Sequence, residues 1–230
     1  MSSTTTYVAF QSSTELFEVT DGFIKRMQEG SRKPEPQTIE RVMQLFIEEA
    51  LNAFFIQPTE QAGLSGGLKR IVNLTADTIG KATHVVVKST VKKLDIEQNL
   101  RTADYMESIR KELPVDGDMR WHVAFPISDS MAEKGRKGLQ LAIDGQDKAA
   151  IPLMVEFFHE LTDTALHWYF EEPMKVLGFG PIMRKVANVG VATTRKASHT
   201  AVDKIIPKLH GEELAESARY SIGLMIDGAA

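Results

Sequence analysis

The sequence predicts an all-α protein made of two tandem four-helix units. Three observations support this class: the chain repeats itself, apolar residues recur at helical spacing, and Gly, Pro and Ser separate the helical segments. A shift of 115 residues aligns the two halves without a gap and gives 23 identities in 115 pairs. Ordinary amino-acid usage gives about 7 by chance. An internal duplication with pseudo-twofold symmetry follows.

The aligned identities include prolines and glycines that separate helices, as well as residues within the helical segments. They include Phe55 and Phe170, Pro58 and Pro173, Gly63 and Gly178, and His84 and His199. The turn-rich stretch at residues 114–118 lies at the junction of the halves. We therefore expect residues 1–115 to form the first repeat and residues 116–230 the second.

Each half begins with an extended lead and a first helix. Residues 5–10 and 120–125 are rich in β-branched and aromatic residues, so they predict one short pair of extended strands. Serine and glutamate at capping-box spacing then open the first helix, which stops near a glycine. The capping pairs are Ser12 with Glu15 and Ser130 with Glu133, and the stops are Gly30 and Gly145.

The second helix of each half carries the widest apolar arc. It starts around Pro36 and Pro152, because proline is tolerated in a first helical turn, and ends before Pro58 and Pro173. In the first half, the polar stripe comprises only Arg41, Gln44, Glu48 and Asn52. Such a helix is expected at the centre of the core.

The third helix is long and rich in small residues, and the fourth is shorter. The third runs over residues 65–94 and 181–209, where small side chains permit close helix packing. Asp95 and Gln98 have capping-box spacing and open a fourth helix that is expected to reach Leu113. Residues 212–226 are its counterpart.

Composition excludes several classes of function. The chain has no cysteine, which removes disulfide frameworks, cysteine zinc sites and thiol catalysis. No window reaches the ~18 apolar residues of a membrane span, and the start lacks an export signal, so a cytoplasmic protein that is not integral to a membrane is expected. The net charge of −4 makes nucleic acid an unexpected partner.

One serine motif matches the sequence pattern of a hydrolase nucleophile but lacks the structural context that the pattern requires. Residues 63–67 fit the pattern G-x-S-x-G, in which a strand-to-helix turn exposes a serine hydroxyl. The preceding segment is predicted as a helix and the second half has Gly180 in place of Ser65. Ser65 is therefore predicted to cap the third helix, and no catalytic residue is assigned.

A histidine–carboxylate cluster on the second helix of the second half gives an alternative. Glu156, His159, Asp163 and His167 recur at three- and four-residue spacing, which places them on one side of a helix, within reach of a zinc, iron or manganese ion. The competing interpretation is a charged solvent stripe, with Glu156, Glu160, Asp163 and His167 exposed. The first half has Arg41, Gln44, Glu48 and Asn52 at the same positions and does not repeat the ligand set, so neither a metal nor a cofactor is assigned.

The third helices carry the strongest charge pattern. Residues 66–94 and 181–209 each hold six basic residues against one acidic residue, in a chain that is acidic overall. The candidate ligand-binding residues form a polar and mostly basic ridge: Asn73, Lys81, His84, Lys88, Asn188, Lys196 and His199. An ordinary solvated face, or internal packing against acidic helices, explains the same charges.

These observations predict a non-enzymatic helical binding or regulatory protein. Its basic third helices would engage an anionic or amphipathic small molecule, a lipid headgroup or an acidic protein partner. The alternative is a metal- or small-molecule-dependent enzyme, with its site between helices of the second repeat. The sequence also allows an apolar tunnel where the two halves meet.

Overall fold

The computed structural model describes residues 4–229, which form eight helices and four strands. The first half contains β1 (Thr4–Gln11), α1 (Thr14–Gln28), α2 (Pro36–Leu51, a π-helical turn over Asn52–Ile56, then Gln57–Gln61), α3 (Gly66–Thr90), α4 (Ile96–Ile109) and β2 (Arg110–Val115). The second half contains β3 (Asp118–Pro126), α5 (Asp129–Ile143), α6 (Asp147–Leu166, a π-helical turn over His167–Glu171, then Glu172–Val176), α7 (Pro181–Ile205), α8 (Glu212–Gly223) and β4 (Met225–Ala229). The 3-10 turns Val91–Lys93 and Ile206–Lys208 follow α3 and α7.

The protein is mostly helical, as predicted, and it also has a small four-stranded antiparallel sheet, where the sequence predicted only one short pair of strands. The strand order is β2-β3-β1-β4. The two predicted leads are β1 and β3, which pair with Val8 opposite Phe125. The outer strands β2 and β4 occupy segments that were predicted as ends of the fourth helices. Extended backbone prevails there because Leu113 and Met225 are buried and the backbone pairs with β3 and β1.

The sheet joins the two halves of the chain. Its strands alternate between the halves, since β2 and β1 belong to residues 1–115 and β3 and β4 to residues 116–230. The junction near residue 116 is the tip of the β2–β3 hairpin rather than a linker. Asp116 and Gly117 form its two-residue turn with φ values of 52° and 88°, which suits the Asp-Gly turns of hairpins.

Element bounds recur at the spacing of the sequence repeat. Helix α5 begins and ends 115 residues after α1, and α7 does the same after α3. Both π-helical turns and both 3-10 turns also recur at this spacing. The internal duplication and the four-helix units remain predictions.

The second helices extend beyond the predicted ends. Both α2 and α6 pass through the prolines that were expected to stop them, Pro58 and Pro173. A π-helical turn precedes each proline, in which the N–H of Gln57 donates to the carbonyl of Asn52 and that of Glu172 to His167. The wider turn accommodates a residue that lacks an N–H and would clash within a regular α-helix.

Helix caps agree with the sequence in part. The Asp95–Gln98 capping box is confirmed, with both of its hydrogen bonds formed. The first helices are capped by Ser13 and Ser128, each accepting from the third residue of its helix, instead of by Ser12 and Ser130. Ser65 is at the N-cap position of α3, but its side chain makes no capping hydrogen bond.

Two large apolar clusters, to both of which α3 and α7 contribute, form most of the core, and a third, small cluster of sheet residues accompanies them. The side chains of Phe54 and Tyr169 pack against both clusters, so they join the two parts of the interior. Helices α3 and α7 approach closely at Gly190, where an added Cβ would lie 2.5 Å from Cγ2 of Val86. The small residues of the third helices thus permit the close packing that the sequence predicted.

Candidate functional site

The interior holds two apolar cavities. The first, of about 140 Å³, lies among α1 to α4 and the end of α6. Its wall includes Val42, Val87, Met106 and Met174. The second, of about 180 Å³, lies among α2, α6, α7 and α8, with Phe157 in its wall. Both walls are almost entirely apolar, which favours an apolar occupant over water.

The two cavities correspond to each other across the 115-residue spacing. Thirteen residues lining the first cavity have their counterpart in the lining of the second. The pairs include Val42 with Phe157, Thr83 with Ser198, and Pro173 with Pro58. Four residues line both cavities and form a shared wall: Phe46, Thr83, Tyr169 and Phe170.

Reciprocal tyrosine hydrogen bonds link the halves beside the cavities. Tyr105 of α4 donates to the carbonyl of Trp168 in the second π-helical turn. Tyr220 of α8 donates to the carbonyl of Ala53 in the first π-helical turn, over 2.9 Å. Burial, with a contribution from Glu172 at Tyr105, raises the pKa of both hydroxyls. Both tyrosines therefore stay neutral donors at physiological pH.

Tyr169 in the shared wall carries an unpartnered polar atom. Its ring makes edge contacts with Phe46 and Phe125, at centroid distances of 4.8 and 5.3 Å. Its hydroxyl is buried without a hydrogen-bond partner, and burial raises its pKa. Such an atom costs free energy unless something inside the protein bonds to it.

Three further unpartnered polar atoms belong to cavity-lining residues. They are Oγ1 of Thr20 and Nε of Arg110 in the first cavity, and Oγ1 of Thr194 in the second. With the Tyr169 hydroxyl, four buried side-chain atoms of cavity-lining residues thus have no hydrogen-bond partner within residues 4–229. Hydrogen-bonding capacity thus remains at the edges of otherwise apolar walls.

The surroundings of Arg110 define the chemistry at one end of the first cavity. Its terminal nitrogens bind Asp21 at 3.1 Å and Glu107 at 2.7 Å, while its guanidinium lies over the rings of Phe17 and Trp121. Lys25 foremost, together with Arg110, lowers the pKa of Asp21, which keeps that carboxylate charged. The guanidinium of Arg110 is thus already paired with two carboxylates, and its Nε is buried without a hydrogen-bond partner.

The predicted basic ridge lies on the surface, away from both cavities. Asn73, Lys81, His84, Lys88, Asn188 and Lys196 are exposed, and none of them lines either of the two apolar cavities. Asn188 lines a third, open pocket together with Arg184 and Lys185. Lys81 pairs with Asp77 at 2.6 Å. His199 is partly buried and stacks on His159, with ring centroids 4.4 Å apart, so its ring partner is on α6 rather than at His84.

The predicted metal cluster is an ion-pair network on the surface of α6. Glu156 and Glu160 both bind Lys134, at 2.6 and 2.7 Å, and raise the pKa of that lysine. Asp163 binds Arg195 at 2.8 Å. The expected exposure is confirmed, since the side chains of the acidic residues and of His167 are 44–57% exposed. No group of three or more potential metal ligands is found in residues 4–229.

The serine motif follows a helix, as predicted. Gly63 and Gly66 adopt positive φ values, and the segment connects the end of α2 to α3. A nucleophile elbow requires a strand before the serine, so this site lacks the geometry.

The cavities could not be located from sequence because they depend on tertiary packing. The signal that was available is the wide apolar arc of the second helices, together with the expected tunnel between the halves. Among residues 4–229, no helix has the length and apolar character needed to cross a membrane. Comparisons with family models, curated proteins and solved structures returned no match.

Proposed function

We propose that the protein binds a neutral amphipathic small molecule whose apolar body occupies the paired cavities. The observation that carries this proposal is the correspondence of two apolar cavities that share one wall. The two cavities are kept although eight of their thirteen corresponding lining residues differ in identity, as Val42 and Phe157 do. Ligand pockets are typically apolar clefts with a few placed polar groups, as these are.

The cavity volumes limit the size of the apolar body. A dry apolar cavity of about 150 Å³ holds a molecule the size of benzene. Each cavity here is of that order, so one cavity takes a ring or a short branched chain. A longer hydrocarbon must pass the shared wall at Tyr169 and Phe46.

The unpartnered polar atoms favour a neutral hydrogen-bonding head group. The Nε–H of Arg110 only donates, so it requires an acceptor such as a carbonyl or ether oxygen. A carboxylate is disfavoured because the apolar walls cannot replace its hydration and the guanidinium of Arg110 is already paired with Asp21 and Glu107. The hydroxyls of Tyr169 and Thr20 both donate and accept, which suits a ketone, ester or alcohol.

We also propose that the two sites arose by internal duplication with pseudo-twofold symmetry. The recurring element bounds support this, and so do the reciprocal bonds of Tyr105 and Tyr220 to carbonyls 115 residues apart. After duplication the sites diverged, because Met225 stands where the first site has Arg110. The second cavity therefore lacks the charged donor.

A metal-dependent enzyme is the weaker candidate. The residues proposed for it, His159 and Asp163 among them, bond to neighbouring side chains on the surface of α6 and α7. They do not face the cavities, and the cavity walls offer no arranged nucleophile and base. A binding role therefore accounts for more of the interior than a catalytic role does.

Thermal shift with matched eight- to ten-carbon ketones, alkanes and carboxylic acids tests the proposal. We expect stabilisation by ketones to exceed that by alkanes, and carboxylates to give the smallest shift. Ala165→Leu fills the second cavity and should weaken the response to ligand, while Ala149→Leu on the exposed face of α6 should leave it intact. Equal responses in both variants would contradict binding in that cavity.

A further inference from the structure

The long helices α3 and α7 and the turns that follow them present an unpaired positive surface. Ten of their twelve basic side chains are exposed and have no acidic partner at ion-pair distance within residues 4–229. These are Lys69, Arg70, Lys88, Lys92, Lys93, Arg184, Lys185, Lys196, Lys204 and Lys208. The two exceptions are Lys81 and Arg195, which pair with Asp77 and Asp163. Internal packing against acidic helices therefore does not explain the charge.

Exposed aliphatic side chains accompany these cations. Four of the six large hydrophobic residues that are exposed in the described chain lie on α3 and α7. They are Leu74, Val85, Ile182 and Val189. Leu74 and Val189 are 115 residues apart and are 65% and 63% exposed, so the feature recurs in both halves. Exposed aliphatic side chains and unpaired basic side chains on the same helices indicate a surface that binds a partner.

The composition of this surface favours one occupant. Neither α3 nor α7 contains Phe, Tyr or Trp, so the stacking platforms of single-stranded nucleic-acid sites are missing. Lysine and arginine stems lie along apolar material while their heads stay in a polar layer. A lipid surface supplies both environments, an apolar interior for the aliphatic side chains and anionic phosphates for the cations.

We propose that the exposed faces of α3 and α7 dock on an anionic lipid surface. Attraction to lipid phosphates comes from the unpaired cations, and shallow insertion comes from Leu74, Val85, Ile182 and Val189. This docking is peripheral and requires no membrane span. It is independent of the cavities, although Thr83 and Ser198 place the opposite faces of the same helices in the cavity walls.

Co-sedimentation of the full chain with vesicles tests the proposal. We expect binding to vesicles of phosphatidylglycerol and phosphatidylcholine in equal parts, none to pure phosphatidylcholine, and loss as salt rises. Neutralising two adjacent cations on each helix, as K69Q/R70Q/R184Q/K185Q, should lower the partition coefficient at least tenfold. The matched control R32Q/K33Q/K137Q/K148Q removes the same charge from exposed sites elsewhere and should change it less than twofold.

A second pair of variants separates lipid insertion from simple charge attraction. Leu74→Ser with Val189→Ser should weaken vesicle binding several-fold while the dependence on salt stays the same. Thermal melts establish that every variant is folded. Equal loss in both charge variants, or binding to polyglutamate without binding to vesicles, would overturn the lipid surface, and the latter result would indicate an acidic polypeptide partner.

Discussion

Replacing Tyr169 with phenylalanine probes the shared wall of the cavities. The substitution keeps the ring and its edge contacts with Phe46 and Phe125, and removes only the hydroxyl. That hydroxyl is buried without a partner. The first half has Phe54 at the equivalent position, so the chain already accommodates phenylalanine in this setting.

The expected effect on the unliganded protein is stabilisation. An unsatisfied buried polar group costs about 1–3 kcal/mol, which Tyr169→Phe recovers. In a chain of this size, each kcal/mol shifts the Tm by about 2–4 °C. The variant should therefore melt several degrees above the wild type, against the usual direction for a substitution in a core.

The affinity of Tyr169→Phe for a hydrogen-bonding ligand should fall, although the unliganded variant is more stable. If the hydroxyl bonds to the head group of the ligand, the variant loses one hydrogen bond, or about 0.5–1.5 kcal/mol of binding free energy. Ketone affinity should fall two- to tenfold, while alkane affinity stays constant. Urea unfolding with and without ligand, followed by circular dichroism, measures both quantities.

Tyr220→Phe is the matched control, because its hydroxyl is bonded. Removal of the bond to the Ala53 carbonyl should lower the free energy of unfolding by about 0.5–1.5 kcal/mol. If Tyr169→Phe destabilises the free protein as much as Tyr220→Phe does, the Tyr169 hydroxyl already has a partner. The reasoning about its role in ligand binding would then be refuted.

Three further predictions concern packing, pH and capping. Gly190→Ala should destabilise by about 1–3 kcal/mol in urea unfolding, since its Cβ would meet Val86, whereas Gly67→Ala, with open space around it, should not. Burial lowers the pKa of His122, so the unfolded chain binds a proton that the folded chain excludes. Stability should fall as pH drops below about 6.5, by at most about 1.4 kcal/mol per pH unit, and His122→Asn should flatten this slope between pH 7 and 5. Asp95→Ala removes a complete capping box and should cost about 0.5–2 kcal/mol in thermal melts, with an unchanged Tm contradicting it.

The sequence predicted the helices better than their ends. Apolar periodicity and small residues located α3 and α7 within a turn, because these signals are local. Pro58 and Pro173 misled the prediction for the second helices, since a π-helical turn absorbs each proline. A local rule for proline cannot anticipate the wider turn that packing stabilises.

Two of the four strands were predicted from the sequence, for a related reason. The leads around Val8 and Val123 have strand composition and were identified. The segments at Leu113 and Met225 continue directly from helices and become strands only by pairing with those leads. Their conformation depends on partners far along the chain, which one local window does not reveal.

The candidate sites divide in the same way. Charge patterning located the exposed cations of α3 and α7, since exposed charge follows from helical spacing. The cavities depend on how seven helices meet around Tyr169, Phe46 and Thr83, so no spacing in the sequence locates them. The spacing of Glu156, His159, Asp163 and His167 on α6 suggested a metal, but Glu156 and Asp163 bind basic residues of other helices, Lys134 and Arg195, instead.

Isothermal titration calorimetry of the full chain with 2-nonanone tests the paired-cavity account most directly. We predict saturable binding with a negative heat-capacity change, because apolar surface leaves water on binding. The affinity should fall at least tenfold in Ala165→Leu and stay within twofold of the wild type in Ala149→Leu. No saturable heat in the folded wild-type protein, up to the solubility limit of the ketone at two temperatures, would contradict the claim that these cavities are a binding site.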